Sequence, residues 1–562
     1  MKKRFLFFIS LLIQCHLFSQ SYYKYWIQFT DKNNSPYSVG KPSVYLSTRA
    51  IQRRTKYNIP IKINDLPPNP AYIDSVVSKG VKLLNRSRWF NAISIDAVSA
   101  SDTAAAMTKI RALPFVKSSK FVTIISPGQN KNDFIEVINT RSPMQRNSID
   151  SAAFDSASNN QRHMIGIDCL NNTGFRGKGK RIAQIDARFG IANKLPAFDS
   201  LYNRSGILGT WDFVWEDTNV YDDTNNADYH GQMVLSCMAG NLPGQFLGDA
   251  VDADFYLLRT EDIQSEYQIE DDNWTSGAEY ADSAGADVIT SSLGYTTFDD
   301  PNTNYTYADM NGKVAVASRA ATIAVEKGMV VCVAAGNLGS SPWRYVSSPG
   351  DADSILTVGA VDANENYAPF SSTGPTSDGR LKPDVGAQGE NTALASPGGG
   401  VTYGSGTSFA TPLIAGAAAC LWQADTNANC VQVMQAIRES ASQYTQPDSL
   451  LGYGIPDFCL ARTILTALTG ITKNKVITNL NKVYPDPFSD NITVSFFSST
   501  VQNVNVRMFN TLGQIVNQKE WKVAGGGNTL ISLGGMQNLP AGVYIVVLTD
   551  ETGSVFTSKV VK

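Results

Sequence analysis

The sequence predicts an α/β protein: a parallel sheet covered by helices on both faces, preceded by a small α+β unit and followed by a small β-sandwich. Three observations lead there. From about residue 160 to 470, apolar runs such as "RIAQID", "DFYLLRT", "ADVITSSLG", "MVVCVAAGN" and "SILTVGAVD" alternate with helical stretches. Continuous apolar strands separated by helices belong to parallel sheets buried on both faces. From about 22 to 126 strands and helices are mixed, and from about 478 to 562 short alternating runs are separated by Gly/Asn turns. At 562 residues the chain also exceeds what one hydrophobic core usually spans.

Taken in order, residues 1–20 read as a signal peptide. Lys2, Lys3 and Arg4 precede the apolar run Phe5–Ile13, and the chain turns polar at Ser19. The run is shorter than the ~20 residues of a membrane span. Residues 21–126 form the α+β unit. Within it "YYKYWIQFTD", "VKLLNRSRWFNAISIDA" and "VKSSKFVTII" read as strand material. "PSVYLSTRAIQRRTKY" reads as a helix opened by Pro42-Ser43, "AYIDSVVSKG" as a second, and "SDTAAAMTKIRAL" as a third capped by Ser101 or Asp102. Residues 127–159, with the polar "SPGQNKNDF", are a linker in which a processing site is expected between about Ser126 and Ser151. In the segment 160–470 the helical stretches are "GQMVLSCMAG", "TSGAEYADSAG" and "VASRAATIAVEKG". The tail offers "NITVSFFSS", "NVNVRMFNT", "QIVNQKEWKV", "NTLISLGG", "GVYIVVLTD" and "SVFTSKVVK" as sandwich strands.

Composition narrows the function. Apolar residues make up 43% of the chain and charged residues 17%, which suits packed globular domains. With 47 basic and 50 acidic residues, the chain has no excess that points to nucleic acid and no polybasic block that points to anionic lipid. Beyond the signal stretch stand Cys169, Cys237, Cys332, Cys420, Cys430 and Cys459, with no C-x-x-C pair and no Cys/His cluster, so no metal site is expected. Cys237, Cys332 and Cys420 lie in apolar segments and read as core residues. The sequence assigns no disulfide.

Four polar residues fall at strand or helix ends. Asp186 closes "RIAQID", His230 opens the helix of "HGQMVLSCMAG", Asn337 follows "VVCVAAG", and Ser408 lies in "YGSGTSFATPLIAGAAACLW". In open α/β sheets, functional groups gather beyond the carboxyl ends of strands. Gly404 and Gly406 give Ser408 a tight entry to a slim, Ala-rich helix, with Pro412 in its first turn. A Ser there has its own N–H free to face an oxyanion. Its hydroxyl needs a base, and the chain has only three histidines. His16 leaves with the signal stretch. His163 in "NNQRHMIGID" has no turn to present it and reads as a surface or packing residue. His230 precedes Gly231, which allows close backbone approach, and a helix that fixes it. Asp186 then suits the orientation of His230, and Asn337 the donation of its amide to a developing oxyanion.

The order Asp-His-Ser, with "IAQIDARFG", "HGQMV", "AAGN" and "GTSFATP", resembles the subtilisin-like serine peptidases over about residues 160–460. The resemblance implies a triad of Asp186, His230 and Ser408, with Asn337 in the oxyanion hole. "ADVITSSLG" resembles the substrate-lining strand, so Ser292, Leu293 and Gly294 would pair with the substrate backbone, and Ala335 and Gly336 would join the substrate site. Two departures stand beside the catalytic atoms. Ala187-Arg188-Phe189 follow the aspartate where a Gly is usual, leaving Arg188 to crowd or pair with Asp186, and Gln232 replaces a usual Thr. The α+β unit resembles the family's inhibitory propeptide. "VYPDPFSDNITV", "FNTLGQIV" and "LPAGVYIVVLTDETGSVFTSKVVK" resemble the C-terminal sorting domain of type IX secretion substrates, with Asp486 in place of a usual Asn. The resemblance thus implies a secreted or surface-bound endopeptidase of a Bacteroidetes-type bacterium, a monomer acting on proteins or peptides. A degenerate surface protein that holds peptides in the same cleft is the alternative. No cofactor is expected. Calcium would be a structural ion only, for which the acidic stretches "YDDTNNAD" and "EDDNW" read as candidate loops.

Overall fold

The structure is a computed structural model that describes residues 22–97, 100–125, 137–139, 157–222, 229–473, 482–498, 502–510, 514–523, 527–550 and 555–562. The signal stretch and the segment "SPGQNKNDF" lie outside the described residues. The chain divides into a unit ending at Leu465 and a second beginning at Thr466.

The first unit opens with an antiparallel sheet of β1 (Tyr22–Phe29), β2 (Lys82–Ser87), β3 (Ala92–Ala97) and β4 (Val116–Ile125), in the order β2-β3-β1-β4. Helices α1 (Thr48–Lys56), α2 (Pro70–Val77) and α3 (Ala100–Arg111) accompany it. Ile27, Phe29, Ile73, Val76, Ile93, Ile95, Met107 and Ile110 form the core between them. Two helix starts differ from the sequence reading. Pro42-Ser43 open only a single 3₁₀ turn, and α1 begins after Ser47, whose hydroxyl accepts from Ala50 N–H and so caps it. Helix α3 starts at Ala100, so Ser101 and Asp102 stand inside it rather than before it.

The central sheet has seven parallel strands: β5 (Arg181–Asp186), β6 (Ile207–Asp212), β7 (Asp254–Arg259), β8 (Val288–Ser291), β9 (Val330–Ala334), β10 (Leu356–Val361) and β11 (Val385–Gln388). Their order is β11-β10-β9-β8-β5-β7-β6. Strands β8, β9, β10 and β11 are buried throughout, as a doubly covered parallel sheet requires. The helices that matter below are α4 (His230–Ala239), α5 (Ile269–Ala284), α6 (Val316–Glu326) and α7 (Thr407–Ala424). The chain order reverses between β5 and β8, so their carboxyl ends flank the crevice where such sheets bind ligands.

Helix α5 carries the N-terminal unit, and the contact is charged and buried. Asp282, fully buried, receives Arg53 at 2.6 Å, Arg54 at 2.8 Å and Arg88 at 2.9 Å. Glu279 accepts from Ser87 Oγ and from the Arg88 and Trp89 amides, and Asp272 accepts from Ser94 Oγ. Burial acts to raise the Asp282 pKa, but the three guanidiniums outweigh it and hold the carboxyl below its usual range. Burial raises Asp272 and Glu279 instead.

Cys169 and Cys459 form a disulfide, while Cys237, Cys332, Cys420 and Cys430 are buried and take part in no disulfide. The acidic stretch "EDDNW" is not a loop. It forms the first turn of α5, where its charges complement the positive helix end. Asp271 there accepts from Tyr305 OH at 2.8 Å and from Ala317 N–H, so its carboxylate serves internal hydrogen bonds, while Glu270 groups with Glu261 and Glu266. Of "YDDTNNAD", only Tyr221 and Asp222 are described.

In the second unit, Lys482–Tyr484, Ile492–Ser498 and Gly527–Leu533 form one sheet. Gln502–Phe509, Ile515–Val523, Val543–Asp550 and Val555–Val561 form another. Val494, Val506, Met508, Ile531, Val546 and Leu548 share one core between the two sheets, which makes the unit a sandwich. Among the described residues, no helix is long and apolar enough to cross a membrane.

Candidate active site

Asp186 is the last residue of β5 and is fully buried. Its Oδ1 lies 2.5 Å from His230 Nδ1 and also accepts from Ala187 N–H at 2.8 Å, while Oδ2 accepts from Gln184 Nε2 at 2.9 Å. Gln184 Nε2 also donates to the Gly231 carbonyl at 2.7 Å, tying the strand to the first turn of α4. The requirement for glycine at 231 is steric. A Cβ there would stand 2.8 Å from the Arg188 carbonyl and 3.2 Å from Asp186 Cβ. Only a bare Cα lets the helix come close enough to place His230 on the carboxylate.

The two departures beside Asp186 have clear roles. Arg188 turns to Asp222, with Nη1 at 2.7 Å from Oδ2, and its carbonyl accepts the Gly231 N–H. Gln232 is fully buried and its Oε1 accepts from Ile191 N–H at 2.9 Å, pinning the loop that follows the aspartate. His163 is 65% exposed and pairs with Asp168, away from this cluster, as a surface residue would.

Ser408 lies in the first turn of α7, fully buried, with Gly406 at the cap. Its Oγ donates to the Ser292 carbonyl at 3.3 Å, and Ser292 Oγ donates to the Ser408 carbonyl at 2.8 Å. The neighbouring Phe409 ring packs at 6.3 Å from the His230 imidazole, so α7 meets the Asp186–His230 pair directly.

Asn337 follows β9 and Gly336, whose φ of +106° suits only glycine. The Asn337 Oδ1 accepts from both Thr407 N–H and Thr407 Oγ, each at 2.9 Å, and Thr407 Oγ accepts from Gly336 N–H. The amide is thereby fixed with its Nδ2 pointing away from Thr407. That Nδ2 is buried and has no hydrogen-bond partner among the described residues.

The expected substrate residues group around the same point. Ser292, Leu293 and Gly294 continue from β8, and the main chain of Leu293 and Gly294 makes no hydrogen bond among the described residues. Ala335 spends its N–H on Val358 and its carbonyl on Ser347, so it offers only its side-chain face. Between Gly294–Thr297 and Leu338–Trp343 lies a cavity of about 180 Å³ that Glu266 also lines. Sequence reasoning missed Gln184, Thr407 and Glu266. A polar residue two positions before Asp186, on the same side of an otherwise apolar strand, was the one available signal for Gln184.

A model of the subtilase family (peptidase S8) matches residues 177–454, a Bacteroidota S8 propeptide model matches 24–135, and a secretion system C-terminal sorting domain matches 482–562. Subtilisin E of Bacillus subtilis is 32% identical over 296 residues, which cover 52% of this chain and 68% of that one. Subtilisin of Bacillus pumilus is 32% identical over 296 residues, with 94% of that protein covered. Serine protease AprX of Bacillus subtilis is 30% identical over 306 residues, covering 50% of this chain and 64% of the relative. The sorting domain marks the protein for export, to the cell surface or the medium. This chain belongs to the subtilase family: it is a serine endopeptidase made as a zymogen, with a propeptide in front and a secretion sorting domain behind.

Proposed function

We propose that the mature protein hydrolyses peptide bonds through Ser408, His230 and Asp186, with Asn337 and the Ser408 N–H as the oxyanion hole. The observation that carries this reading is the Asp186–His230 contact at 2.5 Å on a carboxylate that is itself fully hydrogen-bonded. An imidazole whose Nδ1–H is held by a carboxylate presents the lone pair of Nε2 as a base. Rotation about Ser408 Cα–Cβ moves its hydroxyl from the Ser292 carbonyl toward that nitrogen. Ser408 Oγ then attacks the substrate carbonyl, His230 takes the proton, and the oxygen that gains charge meets Asn337 Nδ2 and the first-turn N–H of α7. His230 returns the proton to the leaving amine, and water hydrolyses the acyl-enzyme by the same steps. The open main chain of Leu293 and Gly294 supports pairing with an extended substrate as an added strand.

The reaction needs no metal in this scheme. The N-terminal unit, bound through Asp282 and Glu279, serves as the intramolecular inhibitor until it is cut away. We place the functional boundaries at 21–126 for that unit, 127–159 for the processed linker, 160–470 for the catalytic domain and 478–562 for the sorting domain. The type IX machinery is the partner of the last, and the mature enzyme acts as a monomer. Nothing favours the degenerate peptide-binding alternative, since both departures beside Asp186 have structural roles away from the reacting atoms.

Casein hydrolysis and fluorophosphonate labelling test the reading. Ser408→Ala abolishes both, and His230→Ala leaves a folded protein with activity down about 10⁶-fold. Parent-like activity in either variant refutes the assignment.

A further inference from the structure

The cavity beside Asn337 carries a charge in a position that bears on substrate choice. Its walls are Leu338, Pro342 and Trp343 on one side and Gly294 with Thr296 and Thr297 on the other, and Glu266 supplies a carboxylate. Leu338 directly follows Asn337, and Gly294 ends the segment whose first residue, Ser292, is hydrogen-bonded to Ser408. The cavity therefore opens beside the carbonyl that Ser408 attacks. Glycine at 294 adds no side chain to narrow that wall.

Glu266 is buried, and its main chain is anchored by a hydrogen bond from its N–H to Asp299 Oδ2 at 3.1 Å. Behind it, Glu261 and Glu270 bring carboxylate oxygens to within 4.8 Å of its own and of each other. Those two are fixed from the protein side. Glu261 accepts from Tyr295 OH at 2.7 Å and from Thr260 Oγ at 3.0 Å. Glu270 accepts from the Asp262 and Tyr267 amides at 2.8 and 3.3 Å. Of the three, Glu266 is the one that lines the cavity. A low-dielectric recess backed by carboxylates focuses negative potential at its mouth.

We infer that this cavity takes the side chain of the residue whose carbonyl is attacked, and that Glu266 selects lysine or arginine there. A long aliphatic stem lies along Leu338, Pro342 and Trp343 while its cationic head reaches the carboxylate, the arrangement such amphipathic side chains favour. An acidic side chain in the same place is repelled, and a short apolar one does not reach the carboxylate. The inference rests on the proposed triad.

Peptide amides that differ only in the residue before the cleaved bond (Arg, Lys, Met, Leu or Glu) test it, with active sites counted by fluorophosphonate titration. Wild-type kcat/KM is at least tenfold higher for Arg and Lys than for Met and Leu, and the advantage shrinks as salt is raised. In Glu266→Gln the Lys-to-Leu ratio of kcat/KM falls about 30-fold or more, as loss of one partner of a buried charge pair requires. Mapping the new C-termini in a wild-type digest of denatured casein gives a reading independent of any variant, with Lys and Arg dominant. A wild-type preference for Leu or Met, or a Glu266→Gln variant that loses activity equally on all substrates, overturns the inference while leaving the triad intact. A protein that cleaves none of the peptides and takes up no probe refutes the triad instead.

Discussion

The Asn337 amide permits a prediction in which catalysis and stability separate. In Asn337→Leu the oxyanion loses one of its two donors, which is worth about 2.7–4 kcal/mol, or 10²–10³ in kcat. The effect on folding is different in kind. Asn337 Oδ1 accepts two hydrogen bonds from Thr407, whose loss leaves the Thr407 N–H buried and unmet, at about 1–3 kcal/mol. Against that, the substitution removes Nδ2, a buried donor with no partner among the described residues, which offsets a cost of similar size. The net change in stability is thus about 1 kcal/mol or less, while kcat falls at least a hundredfold with KM little changed. Thr407→Val keeps the amide but removes one of the two bonds that aim it, and lands between, at about tenfold in kcat. The assay is steady-state hydrolysis of a peptide amide with titrated active sites, alongside thermal unfolding in the Ser408→Ala background to prevent autolysis. If Asn337→Leu turns over at the parental rate, or if its loss of activity tracks a comparable loss of stability, the donor role is refuted.

Three further outcomes follow from the same contacts. Gly231→Ala drives a Cβ to 2.8 Å from the Arg188 carbonyl, so it lowers activity more than tenfold by moving His230 off Asp186, and a fully active variant refutes the close-approach argument. Asp282→Asn removes the charge that three arginines share in a buried site, a loss of about 3–5 kcal/mol, so the cleaved N-terminal segment stops co-eluting with the mature enzyme on size exclusion; unchanged co-elution counts against it. Burial, partly opposed by Arg162, raises the Asp249 carboxyl to about 7. A raised acid stabilises the fold below its unfolded value near pH 4 and loses that contribution as pH climbs through about 7. The unfolding free energy in the Ser408→Ala background therefore falls between about pH 4 and 7 more steeply with Asp249 than with Asp249→Asn, by on the order of 4 kcal/mol at most, and melting temperature follows it; parallel curves contradict the assignment.

What the sequence could reveal depended on how local each signal was. The candidate residues Asp186, His230, Asn337 and Ser408 could be picked out because each stands at a strand or helix end and because histidine is scarce in this chain. Their supports were not, since the roles of Gln184, Thr407 and Gln232 depend on side-chain direction across elements far apart in the chain. The buried strands β8, β9 and β10 read clearly from their apolar runs. The edge strand β6, "ILGTWD", is half-exposed and broken by Gly209, and β11, "VGAQ", interrupts its short apolar run with Gly386 and ends on Gln388, so neither gave a period to read. The first turn of α5 looked like a solvated acidic loop. Its carboxylates are instead buried, with Asp272 against the N-terminal sheet and Asp271 against Tyr305 and Ala317, a fact that only the tertiary pairing supplies.

The Cys169–Cys459 bond joins residues 290 positions apart, one in the short helix before β5 and one in the helix that leaves the unit toward the tail. The entry and exit of the catalytic chain are therefore clasped to each other, and the sheet between them is a closed covalent ring. Removing the segment in front, or tugging on the tail behind, does not peel a strand from either edge. The clasp also depends on its surroundings, because such bonds persist in oxidising compartments and not in a reducing cytoplasm. A protease built this way gains its full resistance to fraying only after it has left the place where it was made, which is also where uncontrolled proteolysis would do the most harm.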